Sequence, residues 1–157
     1  MGWLGIIGSA SGLRQVTLPR PSAPEVRKLL GDGLKHAEQS PHLFKEITER
    51  LIVYFRGQQV SFPDRLDLSG ATPFQCAVWE MTRLIPYGET RSYSWVAEQM
   101  KKPKATRAVG QALGRNPVPI IVPCHRVLAV NGKLGGFTGG IEMKKHLLNL
   151  EGFNDFR

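Results

Sequence analysis

Residues 92–115 constrain the fold of this chain more than any other stretch. Two short segments of helical periodicity, about 92–100 and 105–115, flank Lys101-Lys102-Pro103-Lys104. Pro103 cannot continue a helix, and two short helices around a tight basic turn read as a helix-turn-helix. In the second segment Ala105, Val109, Ala112 and Leu113 recur at i, i+4, i+7 and i+8, so they are expected to face a core. The opposite face carries Arg107, Gly110, Gln111 and Gly114. Two glycines inside a helix cost about 1 kcal/mol each relative to alanine, so a smooth face beside one arginine needs a reason. Close approach of a DNA groove is one; tight packing against another helix is the other.

Charge is distributed unevenly. The chain of 157 residues has a formal net charge of +8. Residues 1–70 carry 9 basic and 7 acidic groups, residues 71–157 carry 12 and 6, and no acid occurs between Glu98 and Glu142. A field of one sign suits a polyanion partner; a merely solvated basic surface is the alternative. No apolar run approaches the ~20 residues needed to span a bilayer. The apolar start, 1–7, lacks a basic segment and reads as a strand rather than a signal peptide. Cys76 and Cys124 are the two cysteines, with no CxxC, so neither a disulfide framework nor a zinc finger is expected. A reducing, cytoplasmic compartment (nuclear in a eukaryote) follows.

The punctuation elsewhere predicts an α+β chain. Segments 3–7 and 13–18 flank a Gly/Ser turn as a β-hairpin. Ser22 opens a helix carrying Val26, Leu29 and Leu30. Ser40-Pro41 opens another, with Leu43, Phe44, Ile47, Leu51, Tyr54 and Phe55 on its apolar face, ended by Gly57. Residues 58–70 are loop or extended chain, which sets a boundary between an N-terminal α/β subdomain (1–70) and a mainly helical, winged helix-turn-helix-like domain (71–157). That second part opens on a capping box, Thr72-Pro73-Phe74-Gln75, with Phe74, Ala77, Val78, Met81, Leu84 and Ile85 toward the core. Cys76 in its first turn reads as a small buried or half-buried residue. Asn131-Gly132 predicts a two-residue hairpin between 126–130 and 133–134. The glycine-rich 135–140 is either a linker or a loop whose backbone meets a ligand. A last helix spans about 142–150.

Asn116-Pro117-Val118-Pro119-Ile120-Ile121-Val122-Pro123-Cys124-His125-Arg126-Val127 carries the chemistry. Its apolar run reads as a buried strand that delivers Cys124 beside His125. Lone cysteines are usually inert packing. A thiol next to a base and a cation has the means to become a thiolate, which is the nucleophile. In extended chain Cys124 and His125 would point to opposite faces, so a bridging water suits them better than direct contact. Glu151 lies at a helix C-terminus, where the dipole disfavours an anion; it needs a partner, His125 or an arginine. His36, His42 and His146 read as surface or packing residues.

From Thr72 to Gly152, about half the chain, the sequence resembles the C-terminal domain of the O6-alkylguanine-DNA alkyltransferases. The resemblance rests on an ordered series: Pro73-Phe74-Gln75 with Val78-Trp79, Ile85-Pro86-Tyr87-Gly88, Ser92-Tyr93, Arg107-Ala108-Val109-Gly110, Asn116-Pro117, Pro123-Cys124-His125-Arg126-Val127, Gly139-Gly140, and Leu147-Leu148 with Glu151-Gly152. The N-terminal region matches only in broad pattern and looks abbreviated. The resemblance implies a single-use repair protein that binds duplex DNA through the minor groove and flips out the damaged guanine. It then moves the O6-alkyl group, and in some cases the alkyl of O4-alkylthymine, onto Cys124. It implies catalytic roles for Cys124, His125, Glu151, Tyr93 and the hinge Asn116. It implies DNA contacts from Ser92, Tyr93, Lys104, Arg107, Ala108, Gly110, Gln111 and Arg115, with Arg107 filling the gap left by the base. Pro119, Val127, Gly135, Phe137 and Thr138 would wall the pocket; Phe137 stands where many relatives carry tyrosine and offers no hydroxyl. A monomer needing no cofactor and no metal is implied, and no membrane partner.

Three other readings were open to such a chain. A lesion-binding protein without chemistry does not need Cys124. A plain helix-turn-helix regulator explains the charge but not 123–127 or Glu151. A cysteine hydrolase needs no basic helix-turn-helix, and no nucleophile elbow is present.

Overall fold

The computed structural model describes residues 2–156; Met1, where the apolar N-terminal stretch starts, lies outside them. The chain divides into two units. One runs to Ser69 and takes in Pro117–Pro119; the other runs from Gly70 to Asn116 and resumes at Ile120. The three-residue excursion has a local cause: the Val16 amide donates to the Pro117 carbonyl, 2.8 Å.

In the first unit, β1 (Ile6–Ser9) and β2 (Gly12–Val16) form an antiparallel hairpin with an irregularity between Ile7 and Gly8. Gly8 and Ser9, expected in the turn, belong to the strand, and Trp3 is held only by an isolated bridge to Arg20. Gly12 cannot be replaced. Its φ is +142°, and an added Cβ would lie 2.3 Å from the Arg65 carbonyl oxygen. That close approach lets the Leu13 amide donate to Arg65 and the Asp67 amide donate to Leu13, both at 2.8 Å. Helix α1 (Ala23–Leu30) is capped by Ser22, which accepts from the Glu25 amide. Val26 and Leu30, one turn apart, pack on Ile7, whereas Leu29 is 47% exposed. The helix expected from Ser40 starts as a 3-10 turn, Pro41–Phe44, with Leu43 exposed, before α2 (Lys45–Phe55). Ile47, Leu51 and Tyr54 carry its burial.

In the second unit, α3 (Pro73–Arg83) has a complete capping box. Thr72 Oγ1 accepts from the Gln75 amide at 3.2 Å, and the Thr72 amide donates to Gln75 Oε1 at 3.0 Å. Its buried face is turned from the expected one. Val78, Trp79 and Thr82 are buried, Phe74, Ala77 and Met81 only half so, and Leu84 is exposed. The reason is Trp79, whose indole N–H donates to the Ala112 carbonyl at 3.0 Å and rotates the helix toward that partner.

The helix-turn-helix follows. β3 (Arg91–Ser92) leads into α4 (Tyr93–Gln99), capped by Ser92 Oγ accepting from the Trp95 amide at 3.0 Å. A left-handed Lys101 and a 3-10 turn at Pro103–Ala105 lead to α5 (Thr106–Gly114). Val109, Ala112 and Leu113 are buried, while Arg107, Gln111 and Gly114 are exposed, as the spacing requires. β4 (Val127–Leu128) pairs with β3, and α6 (Ile141–Leu150) closes the unit. Leu128, Leu134 and Leu148 cluster with Phe153 and Phe156.

Two expectations are corrected. The apolar run before Cys124 is not a strand. It is a buried series of turns, with Ile120 at φ +76° and only 2% exposed. Three prolines remove the amides that a ladder needs, and the segment is held by burial together with bonds to the Pro117 and Val122 carbonyls. The Asn131-Gly132 hairpin is also absent as a ladder. Both residues have positive φ and the Ala129 amide reaches the Lys133 carbonyl at 2.8 Å, but β4 runs parallel to β3 instead of pairing across the turn. Among the described residues no helix is long and apolar enough to cross a membrane.

Thr72→Ala should lower the unfolding free energy by about 1 kcal/mol, the usual value of an N-cap. Urea titration followed by circular dichroism measures it; Thr72→Ser should restore most of the loss.

Candidate active site

The site is assembled around the carboxylate of Glu151, the residue that ends α6. Its side chain is fully buried. Oε1 accepts from His125 Nε2 at 2.7 Å and from Arg126 Nη2 at 2.9 Å. Oε2 accepts from Arg126 Nε at 2.8 Å and from the Gly88 amide at 3.1 Å. The paired bonds from one guanidinium are the strongest geometry a carboxylate has. Arg126 Nη1 also donates to the Ile85 carbonyl, 2.8 Å. Burial alone would raise the Glu151 pKa; the hydrogen bonds from His125 and Arg126 overcome it and hold the carboxyl far below its usual range. It is an anion at every relevant pH.

The charge of His125 follows. Its ring is fully buried, and burial, chiefly, pushes its pKa below 6.5 despite the carboxylate. Arg126 already balances Glu151, so the imidazole stays neutral. A carboxylate only accepts, so Nε2 must carry the proton and Nδ1 keeps the basic lone pair. His125 is a base awaiting a proton.

Cys124 begins a 3-10 turn, Cys124–Arg126, not an extended strand. Its Sγ accepts from Asn116 Nδ2 at 3.1 Å, and the same amide group donates to the Val122 carbonyl at 2.8 Å. Burial raises the thiol pKa; the Asn116 bond and the Lys144 charge oppose this without reversing it. The resting thiol is therefore protonated, and the means to make a thiolate has to act against that burial.

Cys124 opens on a cavity of about 610 Å³. One wall is α5, through Arg107, Gly110, Gln111 and Gly114; the other is the loop, through Gly136, Phe137 and Thr138, with Tyr93 between them. The structure thus brings Cys124, Tyr93, Phe137 and Thr138 together with the smooth face of α5. A Cβ added at Gly110 would lie 3.8 Å from the Tyr93 ring, whereas one at Gly114 would meet nothing within 4 Å. Lys104 and Arg115 are exposed at the two ends of α5, Ala108 is half-buried, and the Ser92 hydroxyl is engaged as a cap. Three expected wall residues lie elsewhere. Val127 is fully buried in β4, and Pro119 belongs to the first unit. Gly135 sits behind Tyr93: its φ is +68°, and a Cβ there would be 2.8 Å from the phenol oxygen.

Sequence reading missed Lys144. It is fully buried in α6 and its Nζ donates to the carbonyls of Val127 (2.7 Å), Leu134 (2.5 Å) and Gly136 (3.3 Å). Burial brings its pKa down to about 8. A signal existed: Lys144 sits three and four residues before Leu147 and Leu148, on the apolar stripe of α6. No group of three or more His, Cys, Asp or Glu that could hold a metal occurs among the described residues.

A neutral buried His125 makes stability depend on pH. In the unfolded chain the imidazole takes a proton below about 6.5; in the folded chain it does not until lower pH. The unfolded state thus binds the extra proton, and stability falls as pH drops through that window. Urea midpoints measured at about pH 7.5 and about pH 5.5 should show this fall, and His125→Gln should shrink it.

Residues 73–153 match the family model described as 6-O-methylguanine DNA methyltransferase, DNA binding domain. A methylated-DNA–protein-cysteine methyltransferase of Methanosarcina acetivorans is 48% identical over 114 residues, 73% of this chain and 72% of that protein. One from Mycobacterium bovis is 50% identical over 116 residues, 74% of this chain and 70% of that protein. The crystal structure of Mycobacterium tuberculosis OGT in complex with DNA superposes with a TM-score of 0.80 and 42% identity, over 94% of this chain and 85% of that one. By this match and these relatives, the chain belongs to the methylated-DNA–protein-cysteine methyltransferase family.

Proposed function

We propose that the protein repairs DNA by direct reversal, moving the alkyl group from O6 of an alkylguanine in duplex DNA onto Cys124, once per molecule. One observation carries this reading: a thiol buried on every other side opens on a cavity walled by the second helix of a helix-turn-helix. An O6 atom is shielded within the base stack, so the nucleotide must be flipped out to meet that thiol. The basic surface of the second domain, residues 71–157, suits the DNA backbone, and relatives of known structure include a complex with DNA. The smooth face of α5 suits the minor groove, with Lys104 and Arg115 near phosphates and Arg107 in the space the base leaves.

In the transfer, His125 takes the Cys124 proton through one water at Nδ1, while Glu151 holds the imidazole and stabilises its charged form. Sγ attacks the alkyl carbon, the S–C bond forms and the C–O6 bond breaks. Guanine leaves with the bonding electrons and receives a proton from Tyr93. Burial, chiefly, raises the Tyr93 pKa, so its hydroxyl still carries its proton at neutral pH. Asn116 and Lys144 stabilise the thiolate as it forms. Nothing in this sequence of steps regenerates the thiol. The protein is expected to act as a monomer in the compartment that holds the DNA, the cytoplasm or, in a eukaryote, the nucleus.

Intact-mass spectrometry after mixing with excess duplex containing O6-methylguanine should show a gain of one methyl group per molecule, absent in Cys124→Ala. Lesion binding without mass gain would overturn the transfer. Arg107→Ala should slow repair of the duplex by at least about tenfold more than reaction with free O6-benzylguanine, since only the duplex has a gap to fill. Equal losses on both substrates would remove Arg107 from that role.

A further inference from the structure

The loop that walls the cavity is built from residues that give it little rigidity of its own. Gly135, Gly136, Gly139 and Gly140 surround Phe137 and Thr138, and each glycine leaves more backbone freedom to be lost on ordering than any other residue. Its near end is well held: Lys144 Nζ donates to the Leu134 and Gly136 carbonyls, and the Tyr93 hydroxyl reaches Gly136 at 3.4 Å. Farther along, the Gly140 amide closes a turn on the Phe137 carbonyl at 2.9 Å. The side chain of Thr138 makes a different kind of bond. Its Oγ1 donates to the Gly114 carbonyl at 2.7 Å, joining the loop to the last residue of α5.

That carbonyl is in the last turn of a helix, where the final carbonyls have no acceptor role within the helix and look outward for donors. Thr138 supplies one across space. A Cβ at Gly114 would meet nothing within 4 Å, so the space beside this residue is open. Two residues later Asn116 holds the Cys124 sulfur. The C-terminal end of α5 therefore has two connections: forward through Asn116 to the nucleophile, and sideways through Thr138 to the opposite wall of the cavity.

We propose that Thr138 is a positioning residue whose hydroxyl latches the lesion-pocket loop to the C-terminal end of the recognition helix. The latch sets the width of the slot between the two walls before a base arrives. It also means that a displacement of α5 on DNA reaches the thiol and the loop together. This inference rests on the alkyl-transfer reading, but the two fail in different experiments.

The test compares Thr138→Val, which keeps shape and loses the donor, with Thr138→Ser, which keeps the donor and loses the methyl. Single-turnover rates at saturating O6-methylguanine duplex are measured beside the dissociation constant for that duplex. Thr138→Val should transfer about three- to tenfold more slowly, the range expected for one neutral hydrogen bond, with binding within about twofold and a full molar equivalent still reacting. Thr138→Ser should recover most of the wild-type rate. A wild-type rate in Thr138→Val would overturn the latch. So would a Thr138→Ser variant as slow as Thr138→Val, or a loss confined to DNA affinity. If wild-type protein itself transfers nothing, the alkyl-transfer reading fails instead.

Discussion

Burying a carboxylate costs several kcal/mol unless its lone pairs are matched, and Glu151 receives four N–H donors from three directions. The cation that makes this burial tolerable, Arg126, is the immediate neighbour of the base that the same carboxylate orients. One interaction therefore has three effects. It ties the end of α6 to the turn at 85–88 and to the turn at 124–126. It fixes the tautomer of His125. It also removes any electrostatic need for His125 to be charged, since the pair Arg126–Glu151 is already neutral. A lone Glu–His pair would pull a proton onto the imidazole; here the imidazole stays available to receive one.

Cys124 and His125 are both neutral at rest, so a proton moving between them would separate charge. A thiolate forming at Cys124 would face Lys144, a cation kept within the α6 face by three backbone carbonyls. Those carbonyls belong to β4 and to the pocket loop, so the ammonium group that favours the thiolate also anchors the loop at Leu134 and Gly136. Tyr93 packs against both this loop and α5. Structural and chemical duties are thus shared by the same few side chains, and substitutions among them will mix effects on folding with effects on rate.

Much of this was legible in the residues. The N-cap at Ser22, the capping box at Thr72, the core face of α5 and the misplaced acid at Glu151 all follow from local rules, because each depends on neighbours within one helix turn. What was not legible depends on partners far along the chain. Trp79 rotates α3 toward Ala112, a carbonyl 33 residues away. The run before Cys124 has the composition of a strand, but its prolines deny it a ladder, and burial holds turns there instead. β4 takes β3 as its partner, so the Asn131-Gly132 turn forms without the hairpin it usually announces. Lys144 stands on an apolar stripe, and only the carbonyls around it explain why.

Under the proposed single transfer, the Cys124 thiol must last until it is needed. Cys124 is 8% exposed and held as the neutral acid. Peroxides and small electrophiles react with thiolates, so the resting protein presents them with little to attack. The same burial that keeps the thiol protonated also acts as a preservative. An idle molecule keeps its single equivalent of sulfur, and its shelf life is set by how seldom the proton leaves.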